Sequence, residues 1–166
     1  MDIRIRSYDD TDLSVCRELW RELTQRHRDI YGDQTIGGRD PGMEFDAFLA
    51  RKPTGVWIAE HAGEVVGLCG LLLTDNGWEI DPMVVRSDLR SRGIGSRLID
   101  HVVAEARRLG VRSLSVRPVA RNIEAIKLYH QAGFRILGHL DMFMELADSD
   151  RQWRPGIELH GQKFRY

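Results

Sequence analysis

The segment Arg90-Ser91-Arg92-Gly93-Ile94-Gly95-Ser96 sets two glycines in a basic turn between an apolar run and a helical repeat. Such a turn lets backbone N–H groups converge on phosphate at a helix N-terminus, where the helix dipole also favours negative charge. Two familiar phosphate loops do not fit. A Walker loop needs four residues between its glycines and then Gly-Lys-Ser/Thr; here one residue separates Gly93 from Gly95 and no lysine follows. The dinucleotide fingerprint needs a third small residue where this chain has Leu98. What remains is Arg-x-x-Gly-x-Gly, beginning at Arg90. Arg86, Arg92 and Arg97 lie close by, with Asp88 the only acid among them. That run suits a polyanionic ligand, or simply a solvated face.

A second group of residues could move protons. Glu79 and Asp81 stand two apart on a strand-like stretch, so they share a face unless a bulge intervenes. Neighbouring carboxylates can push one pKa towards neutrality or hold a cation. Trp78 beside them could wall a pocket. His27 falls on an apolar helical stripe with no second histidine at ligand spacing, so a hydrogen-bonded edge residue is expected and no metal. Cys16 and Cys69 both sit in apolar patterns and read as inert core thiols, neither a metal pair nor a disulfide framework.

Ile3 and Ile5 alternate with Arg4 and Arg6 as a first strand, and Asp9, Asp10 and Thr11 can cap the helix after it. In that helix Leu13, Cys16, Trp20, Leu23, His27 and Ile30 form one stripe. Tyr31 to Pro41 is a glycine-rich loop and Glu44 to Arg51 a short helix. Val56 to Glu60, Glu64 to Leu73 and Trp78 to Val85 follow as strands, the last entered through the hairpin signal Asn76-Gly77. Leu98, Ile99, Val102, Val103, Ala106 and Leu109 mark the helix behind the glycine turn. Ser113 to Val116 is then a strand, Asn122 to Gln131 a helix closed by Gly133, and Phe134 to Leu140 with Met142 to Leu146 are final strands. Residues 1–146 make one domain; 147–166 is a polar tail whose Trp153, Pro155, Phe164 and Tyr166 suggest docking on the domain or on a partner chain.

With 24 basic against 25 acidic side chains, the overall balance favours neither nucleic acid nor a membrane. The longest apolar run, Val65 to Leu73, is far below the ~20 residues that span a bilayer. The alternating start, Met1 to Asp10, reads as a strand and not as a signal peptide. A cytoplasmic protein is expected.

The element order, the Arg-x-x-Gly-x-Gly turn after the fourth strand, and Asn122-x-x-Ala125-x-x-Leu128-Tyr129-x-x-x-Gly133-Phe134 together resemble the GNAT superfamily of acyl-CoA-dependent N-acetyltransferases. The resemblance covers roughly residues 2 to 146; Ser87 stands where many members have proline. It implies an α/β fold with a mixed, mostly antiparallel central sheet flanked by helices and splayed fourth and fifth strands. It also implies acetyl-CoA as the acyl donor and transfer to a primary amine by direct attack in a ternary complex. The turn amides from Arg90, Ser91, Arg92, Gly93, Ile94, Gly95 and Ser96 would then grip pyrophosphate. Arg86, Arg92 and Arg97 are candidates for the outer phosphates. Met83, Val84 and Val85 would pair with the pantetheine arm along a bulged strand, which suits Pro82. Asn122 would lie near the cofactor or cap its helix.

By position in the second motif, Tyr129 is the expected acid for the leaving thiolate. A phenol of pKa ~10 can donate towards a thiol of pKa ~8.5. Glu79 is the expected base, with Asp81 or water as alternatives. A catalytically silent acyl-CoA-binding regulator, and an interaction module dimeric through its tail, remain as other readings. The acceptor would be a small-molecule or protein amine. Acidic Asp33, Asp40, Glu79 and Asp81 favour a cation there, whereas Arg39 and Arg154 blunt that expectation.

Overall fold

The structure, a computed structural model, describes residues 1–147 and 153–166; residues 148–152 of the expected tail lie outside the described residues. Five strands form one sheet in the order β1-β2-β3-β4-β5: β1 (Arg4–Ser7), β2 (Gly55–His61), β3 (Glu64–Thr74), β4 (Gly77–Val85) and β5 (Leu114–Ser115). Neighbours run antiparallel except β4 and β5, which are parallel. This is the expected mixed, mostly antiparallel sheet.

Side chains alternate across the sheet and separate two layers. Ile58, Leu68, Leu72 and Val84 face α1 (Leu13–Tyr31) and α2 (Met43–Ala50), packing on Cys16, Leu19, Phe45 and Phe48. Trp57, Ala59, Cys69, Leu71, Ile80 and Val85 face α3 (Ile94–Arg108), whose Ile94, Leu98, Ile99, Val102 and Ala106 are buried, and Tyr129 of α4 (Ile123–Gln131). α1 begins behind a capping box of Asp9 and Asp12 and ends at Gly32 in the left-handed conformation.

Two irregularities in the sheet position the site. The β3–β4 register shifts between Cys69 and Leu71, so Ile80 opposes Leu71, Met83 opposes Cys69, and Asp81 and Pro82 stand across from Gly70 alone. This bulge explains why Ile80 and Met83 reach the same layer although three residues apart. Gly70 is required there: a Cβ would lie 2.5 Å from the Asp81 carbonyl oxygen and 2.6 Å from Phe48 Cζ. The second irregularity is that β4 and β5 pair only at Trp78–Leu114 and Glu79–Ser115. Beyond Glu79 the strands part, which is the expected splay.

The C-terminal region differs from expectation. Phe134 to Leu140 and Met142 to Leu146 alternate like strands, yet they join no ladder. A strand pattern needs a neighbouring edge to become a strand, and β5 is only two residues long. The polar tail instead contains a hairpin of β6 (Pro155–Leu159) and β7 (Gln162–Arg165). It touches the preceding segment: the Trp153 ring lies 5.1 Å from that of Phe143, and Trp153 Nε1 donates to Glu145 Oε2 at 2.7 Å.

Candidate active site

A cleft of about 460 Å³ opens where β4 and β5 part. Of the eleven residues expected to hold a cofactor, ten line it: Met83, Val84 and Val85 from β4, Arg90, Ser91, Gly93, Ile94, Gly95 and Ser96 from the turn and α3, and Asn122. Arg92 is exposed and lies outside the lining.

The turn is built as an anion cradle. Ser91 and Gly93 take positive φ values of 59° and 82°, and α3 starts at Ile94 with no side chain capping it. The first amides of a helix have no intrahelical acceptor, so those of Ile94, Gly95 and Ser96 are available to a ligand. Gly95 keeps the floor open: a Cβ there would come 3.1 Å from Leu128 Cδ2 and 3.5 Å from Met83 Cε. Arg90 is structural as well as local to the cleft, since its Nε donates to the Val85 carbonyl oxygen at 3.2 Å. Arg86 is engaged elsewhere, paired at 2.8 Å with both Glu64 and Asp88.

Opposite the turn, β4 presents backbone. The Arg86 amide donates to Val66 in β3. Backbone polar groups alternate sides along a strand, so those of Met83 and Val85 project towards the edge that β5 has left. The cleft can therefore take a ligand that carries phosphates at one end and amide groups along its arm. α1 and α4 close the other wall through Leu23, Arg26, Ala125, Leu128 and Gln131, and Arg26 bridges to Glu124 at 2.9 Å. Sequence reading gave no cleft role to Leu23, Arg26 or Gln131, whereas Ala125 and Leu128 already stood in the second motif. Leu23 was legible only as one more apolar position on a helix stripe. Asn122 caps α4, its Oδ1 accepting from Ala125 N at 3.2 Å, and also lines the cleft.

Tyr129 lies in the layer beneath, 9% exposed, with its ring edge-on to Phe134 at 5.8 Å. It does not line the cleft wall. Burial above all, then the nearby Cys69 and Asp81, push its phenol pKa up, so the hydroxyl keeps its proton. Cys69 is fully buried and its pKa is likewise raised by burial.

Glu79 opposes Leu72, which places it on the α1–α2 side of β4, and Asp81 follows within the bulge. Burial raises both carboxyl pKa values, against the lowering pull of Arg117 and Arg51. Arg117 Nε stands 3.5 Å from Glu79 Oε2, and Arg51 Nη1 stands 3.6 Å from Asp81 Oδ2. The two arginines come from the end of α2 and from just past β5, and nothing in the sequence marked them. His27 is partly buried, which lowers its pKa. No cluster of histidine, cysteine and carboxylates suited to a metal occurs among the described residues.

Residues 14–134 match the acetyltransferase (GNAT) family. An uncharacterised N-acetyltransferase of Bacillus subtilis is 29% identical over 115 residues, covering 67% of this chain and 72% of that protein. The L-methionine sulfoximine/L-methionine sulfone acetyltransferase of Salmonella typhimurium is 24% identical over 143 residues, covering 82% of each. Among solved structures, the PaiA N-acetyltransferase of Thermoplasma acidophilum in complex with coenzyme A superposes with a TM-score of 0.70 at 18% identity, covering 82% of this chain and 92% of that one. A strand–turn–helix cradle on a splayed sheet, matched over most of its length by this family, identifies the chain as a member of the GNAT acetyltransferases and as an acyltransferase enzyme.

Proposed function

We propose that the enzyme transfers the acetyl group of acetyl-CoA to a primary amine by direct attack within a ternary complex. The observation that carries this reading is the cleft: uncapped amides at the start of α3 face the β4 edge at Met83 and the Val85 N–H across a floor kept open by Gly95, with the Val85 carbonyl already held by Arg90. The site fits the donor chemically, with helix N–H groups for pyrophosphate and a strand edge for the amide-bearing arm. Bound there, acetyl-CoA supplies an activated acetyl thioester.

The chain's own residues do the rest. The turn from Arg90 to Ser96 holds the phosphates, and Arg92 and Arg97 add positive field at the mouth. An N–H of the Met83–Val85 segment polarises the thioester carbonyl. Glu79 accepts the proton of the incoming amine; its raised pKa makes it a stronger base than an ordinary carboxylate. A nitrogen–carbon bond forms, the carbon–sulfur bond breaks, and Tyr129 donates to the departing sulfur. Glu79 passes its proton to solvent and Tyr129 is reprotonated from it.

The transferase domain is residues 1–146, with the tail docked on it. The enzyme works in the cytoplasm as a homodimer. One feature supports the dimer: the unpaired segment 134–146 exposes large apolar side chains, Ile136 at 94% and Leu146 at 91%, which a second copy of the chain would cover. Light scattering should return twice the chain mass; a monomer at every concentration removes that part of the reading.

The transfer itself is tested by following free CoA with and without an amine. Release only in the presence of an acceptor, with the acetylated amine found by mass spectrometry, is the expected result. Tight CoA binding with no turnover on any amine would make the chain the silent regulator instead.

A further inference from the structure

Two ion pairs are set apart by their geometry from nine others. The nine close at 2.6 to 2.9 Å, within hydrogen-bond distance. The pairs Arg117–Glu79 and Arg51–Asp81 stand at 3.5 and 3.6 Å, too far for a hydrogen bond. Both fall where the β4–β5 pairing ends, at Glu79 and in the bulge that follows it.

The four side chains form one cluster and not two separate pairs: each carboxylate is influenced by both arginines. Among the described residues, none of the four makes a side-chain hydrogen bond. Each guanidinium therefore keeps its planar fork of donors, and each carboxylate keeps its lone pairs. The arginines are half in solvent, at 52% and 55% exposed, while Glu79 is 12% exposed. A carboxylate so shielded, with an arginine nearby but not bonded, is poised for a partner that the chain does not itself supply.

A ligand that satisfies this cluster must offer donors and acceptors together. An amine alone would fill the carboxylates and face two guanidinium groups of its own sign. A polyamine would be repelled further by its second cation. A peptide N-terminus would bring its amine to Glu79 and set a neutral amide against the arginines. A free amino acid meets every requirement, because its carboxylate can take the bidentate forks that Arg51 and Arg117 leave open.

Building on the acetyl-transfer reading above, we propose that the acceptor is a free amino acid. Its amino group is received by Glu79 and Asp81, and its carboxylate by Arg117 and Arg51. When the carboxylate draws the guanidinium groups away, Glu79 is released to accept the amine proton as the new nitrogen–carbon bond forms and the carbon–sulfur bond of the thioester breaks.

The test uses the full chain, acetyl-CoA and each of the twenty L-amino acids, with release of CoA as the readout. At least one should be acetylated. The amide of that amino acid and its decarboxylated amine should then lose about 10- to 100-fold in kcat/KM, the scale expected for loss of a charged hydrogen-bonded contact. Arg117→Gln and Arg51→Gln should raise KM for the amino acid by a similar factor. They should change KM for the decarboxylated amine by less than about 3-fold, a split that general loss of structure would not produce. Thermal stabilisation by CoA verifies that each variant is folded. The proposal is overturned if amines without a carboxylate are acetylated equally well, or if the arginine variants affect both substrates alike; either result leaves acetyl transfer standing. CoA binding without turnover on any acceptor defeats the transfer reading and this proposal with it.

Discussion

The proposed donor cleft and the proposed acceptor end share strand β4 but are built from different material. At Met83 to Val85 and in the turn from Arg90 to Ser96, the groups offered to a ligand are mainly backbone N–H and C=O. At Glu79, Asp81, Arg51 and Arg117 they are all side chains, brought from three separate elements. Backbone donors are fixed by the fold and insensitive to most substitutions, so the first site is general. Charged side chains can be exchanged one by one, so the second site is where selectivity resides.

This contrast can be broken most sharply at Gly95. A leucine there would project into Leu128 and Met83 and fill the cleft floor; CoA affinity by calorimetry should fall ~1000-fold, about 4 kcal/mol, while the fold survives. A folded variant with near-normal affinity would remove the cleft from the donor site. Glu79→Gln should lower kcat/KM by ~100-fold or more, with CoA binding unchanged. Because Glu79 must be deprotonated to act and burial raises its pKa, the wild-type rate should fall as pH drops through a value above the usual carboxylate range. The variant should lose that acid limb; a limb that persists in it assigns the titration to another group. Tyr129→Phe should reduce kcat by ~10- to 100-fold with KM for acetyl-CoA little changed, and full activity would dismiss its role as acid. The smallest effect is expected at Arg92→Ala: a 2- to 3-fold rise in KM for acetyl-CoA that shrinks in high salt, as befits an exposed charge acting at distance.

The same contrast explains what could be read from the sequence. The cradle was legible because strand, glycine turn and helix are contiguous, and their spacing carries both the geometry and the charge. Asn122 was legible through a second local pattern on one helix; Tyr129 of that pattern lies buried beneath the cleft and outside its lining. Arg51 and Arg117 were not, since an arginine at a helix end and another past a short strand are ordinary until the fold brings them to Glu79 and Asp81. The bulge was anticipated around Pro82, but its consequence for face parity appears only once Gly70 is seen opposite two residues. Segment 134–146 shows the opposite failure: its alternation is plain, yet alternation specifies a face and not a partner. The hairpin of β6 and β7 was hidden for a related reason: its strands are short, one opening with Pro155-Gly156 and the other polar at three of its four positions.

Both cysteines, Cys16 and Cys69, are completely enclosed, with burial pushing the first up to about 12 and the second higher still. At neutral pH neither provides a thiolate, the species that attacks disulfides and electrophiles. If CoA is released once per cycle, as proposed, the enzyme is thereby inert to its own product and to mixed-disulfide capture by oxidised CoA. It follows that a thiol-reactive dye added to the folded enzyme reports product alone, with no background from the protein, and that oxidising conditions should leave its activity unaltered.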